Sequence, residues 1–253
     1  MTVERAAEIA RRELGLGLDG PVPDLLRLLE DEVELRIFIL PLGEEGIDGA
    51  YQLDQGEPFV LLNQSKHHTR QRFTLAHEFG HHHLRHGAQL DSNIQFRNSQ
   101  IKEIEANRFA SSLLMPRPAI DGWFARNDDP RLSLEVLVRI AFAFNVSAPV
   151  VRYRLQEVNR LQSRSLRGEL DRAIKAESHY EIARALGLVR PSDSIQASYT
   201  RGAYVPASMQ AKVADLVKRG LLTPEIARAR LRLPAENSGS EVDELFSSSF
   251  PAD

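Results

Sequence analysis

Val3, Ala6, Ala7, Ala10 and Leu14 recur at helical spacing with charged residues between them, so the chain is expected to open on an amphipathic helix. Prolines at 21 and 23 precede LLRLLEDE and predict a second, short helix beginning near Pro23. ELRIFILPLG alternates and is β-branched enough for a strand, and DGAYQLDQGEPFVLLN reads as two strands joined by Asp54, Gln55 and Gly56. The helical period returns from about Ser65 to Arg85, with Phe73, Ala76, His77 and Leu84 to one side. A further helix, QIKEIEANRFASSLLM, is ended by Pro116, which has no N–H to donate. LSLEVLVRIAFAFN and VSAPVVRYRLQEVNRL predict two more.

Strands first and helices after predict an α+β domain over residues 1–160, a small mixed or antiparallel three-stranded sheet packed on helices. Residues 161–235 read as a mainly helical C-terminal extension, with candidates at 167–187 and 207–219 and a short helix after Thr223-Pro224. Residues 236–253 have the composition of a disordered tail. At 42% hydrophobic and 26% charged residues the chain matches globular averages, which excludes collagenous, coiled-coil and wholly disordered classes.

The net charge of -3 divides unevenly: residues 1–160 carry 19 Lys+Arg against 23 Asp+Glu, residues 161–235 carry 13 against 7, and residues 236–253 carry 0 against 5. A basic segment before an acidic tail makes DNA or single-stranded nucleic acid a candidate partner of residues 161–235, against the plainer account of a solvated helical face. The N-terminus lacks the apolar core of a secretory signal and no apolar run approaches spanning length, so a cytoplasmic protein without a membrane partner is expected.

The absence of cysteine excludes disulfides, iron–sulfur ligation, thiolate zinc sites and a cysteine nucleophile, so any metal must be held by His, Asp or Glu. FTLAHEFGHHHLRHG contains His77-Glu78-Phe79-Gly80-His81, an HExxH pattern. Two imidazoles four residues apart on a helix project about 40° from one another and can share an ion, while Glu78, roughly 100° from His77, can reach a water on it. On the same wheel His82, His83 and His86 fall near 140°, 240° and 180° and are expected to be surface residues.

A catalytic zinc site generally takes a third protein ligand. The extended HExxHxxGxxH class would need Gly at 84 and His at 87, where this chain has Leu84 and Gly87. The next helix offers Glu103 and Glu105. Ala106, Phe109, Ala110 and Leu113 mark its buried face; Glu105 is taken to lie at the edge of that stripe and Glu103 further away, which makes Glu105 the expected ligand of a His2Glu site. Zinc is the expected metal, with manganese the alternative.

FTLAHEFGHHHL, then EIEANRFASSLLMP, then FNVSAPVVRYRL resembles the ImmA/IrrE family of metallopeptidases across residues 20–160. The resemblance implies a gluzincin-type site in which His77, His81 and Glu105 hold the metal and Glu78 is the base. It also implies the substrate class, a helix-turn-helix repressor or antitoxin whose cleavage relieves repression of stress-response or mobile-element genes. Radiation-response members carry a C-terminal GAF-like sensor; the segment after 165 is short and helical for one.

Metal-assisted amide hydrolysis needs a stabiliser for the developing oxyanion, and Tyr51, His67, His68 and Tyr153 are the candidates. The strand around FVLLN is expected to offer an open edge to an extended substrate. Two rival readings stand beside the endopeptidase: a non-catalytic regulatory or toxin–antitoxin binding partner of a DNA-binding protein, and a peptidase activated by nucleic acid through the basic segment.

Overall fold

The computed structural model describes residues 2–54, 56–86, 95–196 and 206–223. Helix α1, Val3–Glu13, is capped by the Thr2 side chain accepting from the Arg5 N–H, and buries Ala6, Ala7 and Ala10. Helix α2, Leu25–Val33, is capped in the same way by Asp24. Strands β1 (Arg36–Leu40), β2 (Gly49–Asp54) and β3 (Glu57–Asn63) follow. The sheet order is β1-β3-β2, with β1 parallel and β2 antiparallel to β3. The expected mixed three-stranded sheet is therefore present. FVLLN, however, lies in the central strand, paired on both sides, and offers no edge; the edge beside the histidine helix is β2.

Helix α3, His68–His83, packs across β2 and β3, and α4, Gln95–Leu114, packs against α3 and α1. Leu75, Ala76 and Phe79 of α3 join Phe109, Ala110 and Leu113 of α4 in one core with Ile37, Ile39, Val60 and Leu62 of the sheet. Helix α5, Arg117–Arg126, has no counterpart in the sequence expectations. A proline in the first turn of a helix forfeits only an N–H that would be unpaired there, so Pro118 is accommodated at the start of α5.

Helices α6 (Leu134–Ala143) and α7 (Ala148–Glu157) are bent 102° apart at a short break and both bury apolar side chains in the core. Among the described residues no single helix is long and apolar enough to cross a membrane. The expected helix over 167–187 is two, α8 (Arg164–Lys175) and α9 (Ser178–Ala185), separated where Glu177 takes a left-handed φ of 59°. They pack against α7 and α6 respectively, and α10 spans Ala207–Lys218. The short helix expected after Pro224 and the tail at 236–253 lie outside the described residues.

A buried ion pair binds the distal chain to the centre. Arg72 of α3 and Asp193 are each 1% exposed and 2.6 Å apart. Asp193 also accepts from the Asn145 side chain at 3.1 Å and the Gln196 N–H at 2.9 Å, while Arg72 donates to the Val22 and Pro23 carbonyls.

Candidate active site

One turn of α3 separates His77 from His81, so both rings leave the same side of the helix and meet with centroids 4.8 Å apart. Their Nε2 atoms are 3.1 Å apart. The carboxylate of Glu103 reaches over from α4, Oε2 lying 3.2 Å from His77 Nε2 and Oε1 3.3 Å from His81 Nε2. His77, His81 and Glu103 form a three-residue cluster able to hold a metal ion.

The carboxylate that reaches the two histidines is thus Glu103 and not the expected Glu105, and the helix period explains why. Measured from the centre of the Ala106, Phe109, Ala110 and Leu113 stripe, Glu103 falls roughly 70° to one side and Glu105 roughly 90° to the other. Glu103 shares its flank with Asn107, one turn on, and that flank faces the two histidines. Asn107 Oδ1 lies 3.1 Å from His77 Nδ1 and accepts its hydrogen, leaving the Nε2 lone pair toward Glu103. Asn107 went unassigned in the sequence, although its spacing of four from Glu103 was there to be read. Glu105 instead meets His86, Oε2 to Nε2 3.2 Å.

The two Nε2 atoms stand 3.1 Å apart and each has one Glu103 oxygen within 3.3 Å, spacings that suit a small divalent cation: ligands about 2.0–2.1 Å from a tetrahedral zinc stand about 3.3 Å from each other. The electrostatics agree. Burial, and secondarily the Arg70 charge, lowers the His77 pKa against the pull of Glu103 and Asn107. Burial, with the neighbouring His77, lowers that of His81 to about 4. Both imidazoles are neutral at pH 7, the form that ligates.

Glu78 is buried beside the cluster, and burial followed by the Glu103 charge raises its pKa to about 7, against the Tyr51 backbone N–H that favours the carboxylate. A carboxyl poised near neutrality can both take and return a proton. His77, Glu78, His81 and Glu103 line a cavity of ≈ 450 Å³ whose other wall is Gly49, Ala50, Tyr51, Gln52 and Leu53, the edge strand β2. Beyond Asn107 and Arg70 lies a second cavity of ≈ 740 Å³ floored by Phe73, Ile104, Val150 and Tyr153.

Of the four candidate oxyanion stabilisers only Tyr51 is in the cluster's own cavity, its hydroxyl 3.1 Å from His82 Nδ1. His67 and His68 sit at the far end of α3, about 15 Å along the helix from His77. There His67 caps the helix, accepting from the Thr69 N–H. Tyr153 lies exposed on the second cavity, beneath the Arg152 guanidinium.

The remaining histidines of the run are not surface residues. His82 is half-buried between Phe79 and Tyr51, His83 packs on Phe109 under α1, and the His86 side chain is 7% exposed. A wheel extended past His83 misplaces His86, because the helix ends at Leu84 and Arg85 reverses the chain.

The family model of the IrrE N-terminal-like domain, a peptidase family, matches residues 30–156, half of the chain and all of this site. The chain belongs to this family. Among curated relatives it is similar to the radiation response metalloprotease IrrE of Deinococcus deserti, 34% identical over 165 residues that cover 62% of this chain and 56% of that protein. It is similar also to the IrrE of Deinococcus radiodurans, 32% identical over 159 residues covering 60% of this chain and 46% of that one. The chain spans about half the length of these relatives.

Proposed function

We propose that the protein is a metal-dependent endopeptidase acting on a protein substrate, with His77, His81 and Glu103 holding the cation and Glu78 as the general base. Zinc is the proposed metal, with manganese the alternative. The observation that carries this reading is the buried Glu78 carboxyl, which lines one cavity with the His77–His81–Glu103 cluster and the edge strand β2. A non-catalytic binding partner has no need for a carboxyl buried beside that cluster.

A cation held by His77, His81 and Glu103 would supply Lewis acidity and acidify water there. The chain's own groups do the rest. An extended peptide laid along β2 pairs with the backbone groups of the edge that no described strand covers, which aligns the scissile amide between the cluster and the Tyr51 side. Glu78 takes the proton of the attacking water and returns it to the leaving amine. The Tyr51 hydroxyl, held by His82 and kept protonated by a pKa raised through burial, donates toward the carbonyl oxygen as charge develops. Asn107 holds the His77 ring in its ligating tautomer. Strand pairing favours substrates cut in a loop or an unfolded stretch.

The proposed substrate class is a helix-turn-helix repressor or antitoxin, whose cleavage would relieve repression of stress-response or mobile-element genes. The similarity to radiation response metalloproteases supports a protease with a stress-response role, and the substrate class rests on the resemblance of the sequence motifs. The test incubates the metal-loaded protein and its Glu78→Ala variant with helix-turn-helix repressors of the same genome. A discrete fragment, mapped by mass spectrometry to a loop and produced by the unsubstituted protein alone, is expected. Equal binding by both proteins, with the partner uncut under zinc and manganese, would overturn the peptidase reading in favour of a binding module.

A further inference from the structure

Leaving α3, Arg85 takes a left-handed φ of 55° and the His86 N–H bonds the His81 carbonyl at 3.0 Å. This turn folds the His86 ring back onto His81, with centroids 5.1 Å apart and Nδ1 to Nδ1 3.1 Å. On its far side His86 Nε2 lies 3.2 Å from Glu105 Oε2. The imidazole is almost wholly enclosed, whereas the Glu105 side chain is 41% exposed.

A neutral imidazole has one N–H and one lone pair, so a chain of three such contacts admits few proton arrangements. His81 Nε2 faces Glu103 and His77 and must present its lone pair to an ion; its hydrogen is then on Nδ1. His86 Nδ1 must accept that hydrogen, which puts the His86 hydrogen on Nε2. Glu105, an acceptor at both oxygens, receives it. Every contact is satisfied in this one arrangement.

We propose that His86 and Glu105 are a positioning pair for His81: Glu105 fixes the tautomer of His86, and His86 in turn fixes the tautomer and orientation of His81. The inference rests on the metal-site reading above. The two ligating rings are then anchored by different chemistry, His77 by a neutral amide and His81 by an imidazole backed by a carboxylate. An outer carboxylate makes the ligating nitrogen more basic, and losing such a partner typically weakens metal affinity about 10–100-fold.

The test is a zinc competition titration against a chromophoric chelator, with the melting temperature of each metal-free protein measured alongside. His86→Ala is expected to weaken zinc binding about 10–100-fold, and Glu105→Ala by a smaller factor. Because Glu105 acts through His86, Glu105→Ala added to His86→Ala should change affinity less than about twofold. Glu105→Gln, whose amide oxygen still accepts, should recover most of the wild-type affinity. In the zinc-loaded wild type, long-range proton–nitrogen correlation should show hydrogen on Nδ1 of His81 and on Nε2 of His86. Glu105 is exposed enough that its variants report even if His86→Ala does not fold. Wild-type affinity in Glu105→Ala, or a Glu105 effect of equal size with and without His86, overturns the pair while tight wild-type binding leaves the metal site standing. A wild-type protein that takes up neither zinc nor manganese overturns the metal site and the pair together.

Discussion

Gly80 and Phe109 bring α3 and α4 together with no side chain between: a Cβ built on Gly80 would stand 3.1 Å from Phe109 Cδ1 and 3.3 Å from the Ala106 Cα. Replacing a helical glycine by alanine ordinarily gains about 1 kcal/mol. Here Gly80→Ala is expected to gain nothing, and Gly80→Val to lower stability by about 1–3 kcal/mol through overpacking. Because Glu103 comes from α4 and both histidines from α3, metal affinity should fall along with stability. Chemical denaturation and chelator titration on the same samples check both.

Glu103→Ala should weaken zinc binding at least 100-fold, while Glu105→Ala should not exceed about tenfold, the effect of an outer partner. Metal analysis after dialysis separates the two. The reverse order would return the third-ligand role to Glu105.

Much of the site was legible in the sequence because two residues on one helix carry their geometry in their spacing. HExxH states where His77 and His81 point, and the alternating strands before it were readable for the same reason. Glu103 required the correct flank of α4, and a shift of two residues moves a side chain to the opposite flank. His86 was lost for a different reason: a single left-handed residue, Arg85, annuls the wheel beyond it. Helix α5 hid behind prolines that open helices as readily as they end them. The free edge went to the wrong strand because sheet order depends on non-local pairing, and β3 runs between its two neighbours.

Removing one partner of the Arg72–Asp193 pair leaves a charge in a site that excludes water. Asp193→Ala is expected to destabilise the protein by about 3–5 kcal/mol. The double variant Arg72→Leu/Asp193→Ala should be more stable than Asp193→Ala alone, since no cation is then stranded. Urea unfolding of the two single variants and the double variant gives the comparison.

Acid should act in part through His68, as well as through the metal-site histidines His77 and His81. Burial first, then His67, Arg190 and Arg72, lowers its pKa to about 4, against about 6.5 in the unfolded chain. Between those values the unfolded chain binds a proton that the folded one refuses. The contribution is therefore intact above pH 6.5 and is lost as pH falls toward 4, with at most about one proton taken up on unfolding. His68→Gln should give a shallower fall of melting temperature between pH 6.5 and 4.5 than the wild type shows.

His81 and Glu103 stand on successive helices of a chain that has no cysteine. A cation shared between them would do for α3 and α4 what a disulfide does elsewhere, tying the two helices with a bond that a strong chelator can undo. Stability would then rise with free metal as RT ln(1 + [L]/Kd), about 2.7 kcal/mol at a hundredfold excess over Kd. Starvation for the ion would loosen the scaffold as well as silence the chemistry, so that the lifetime of the protein would follow the metal supply of its surroundings.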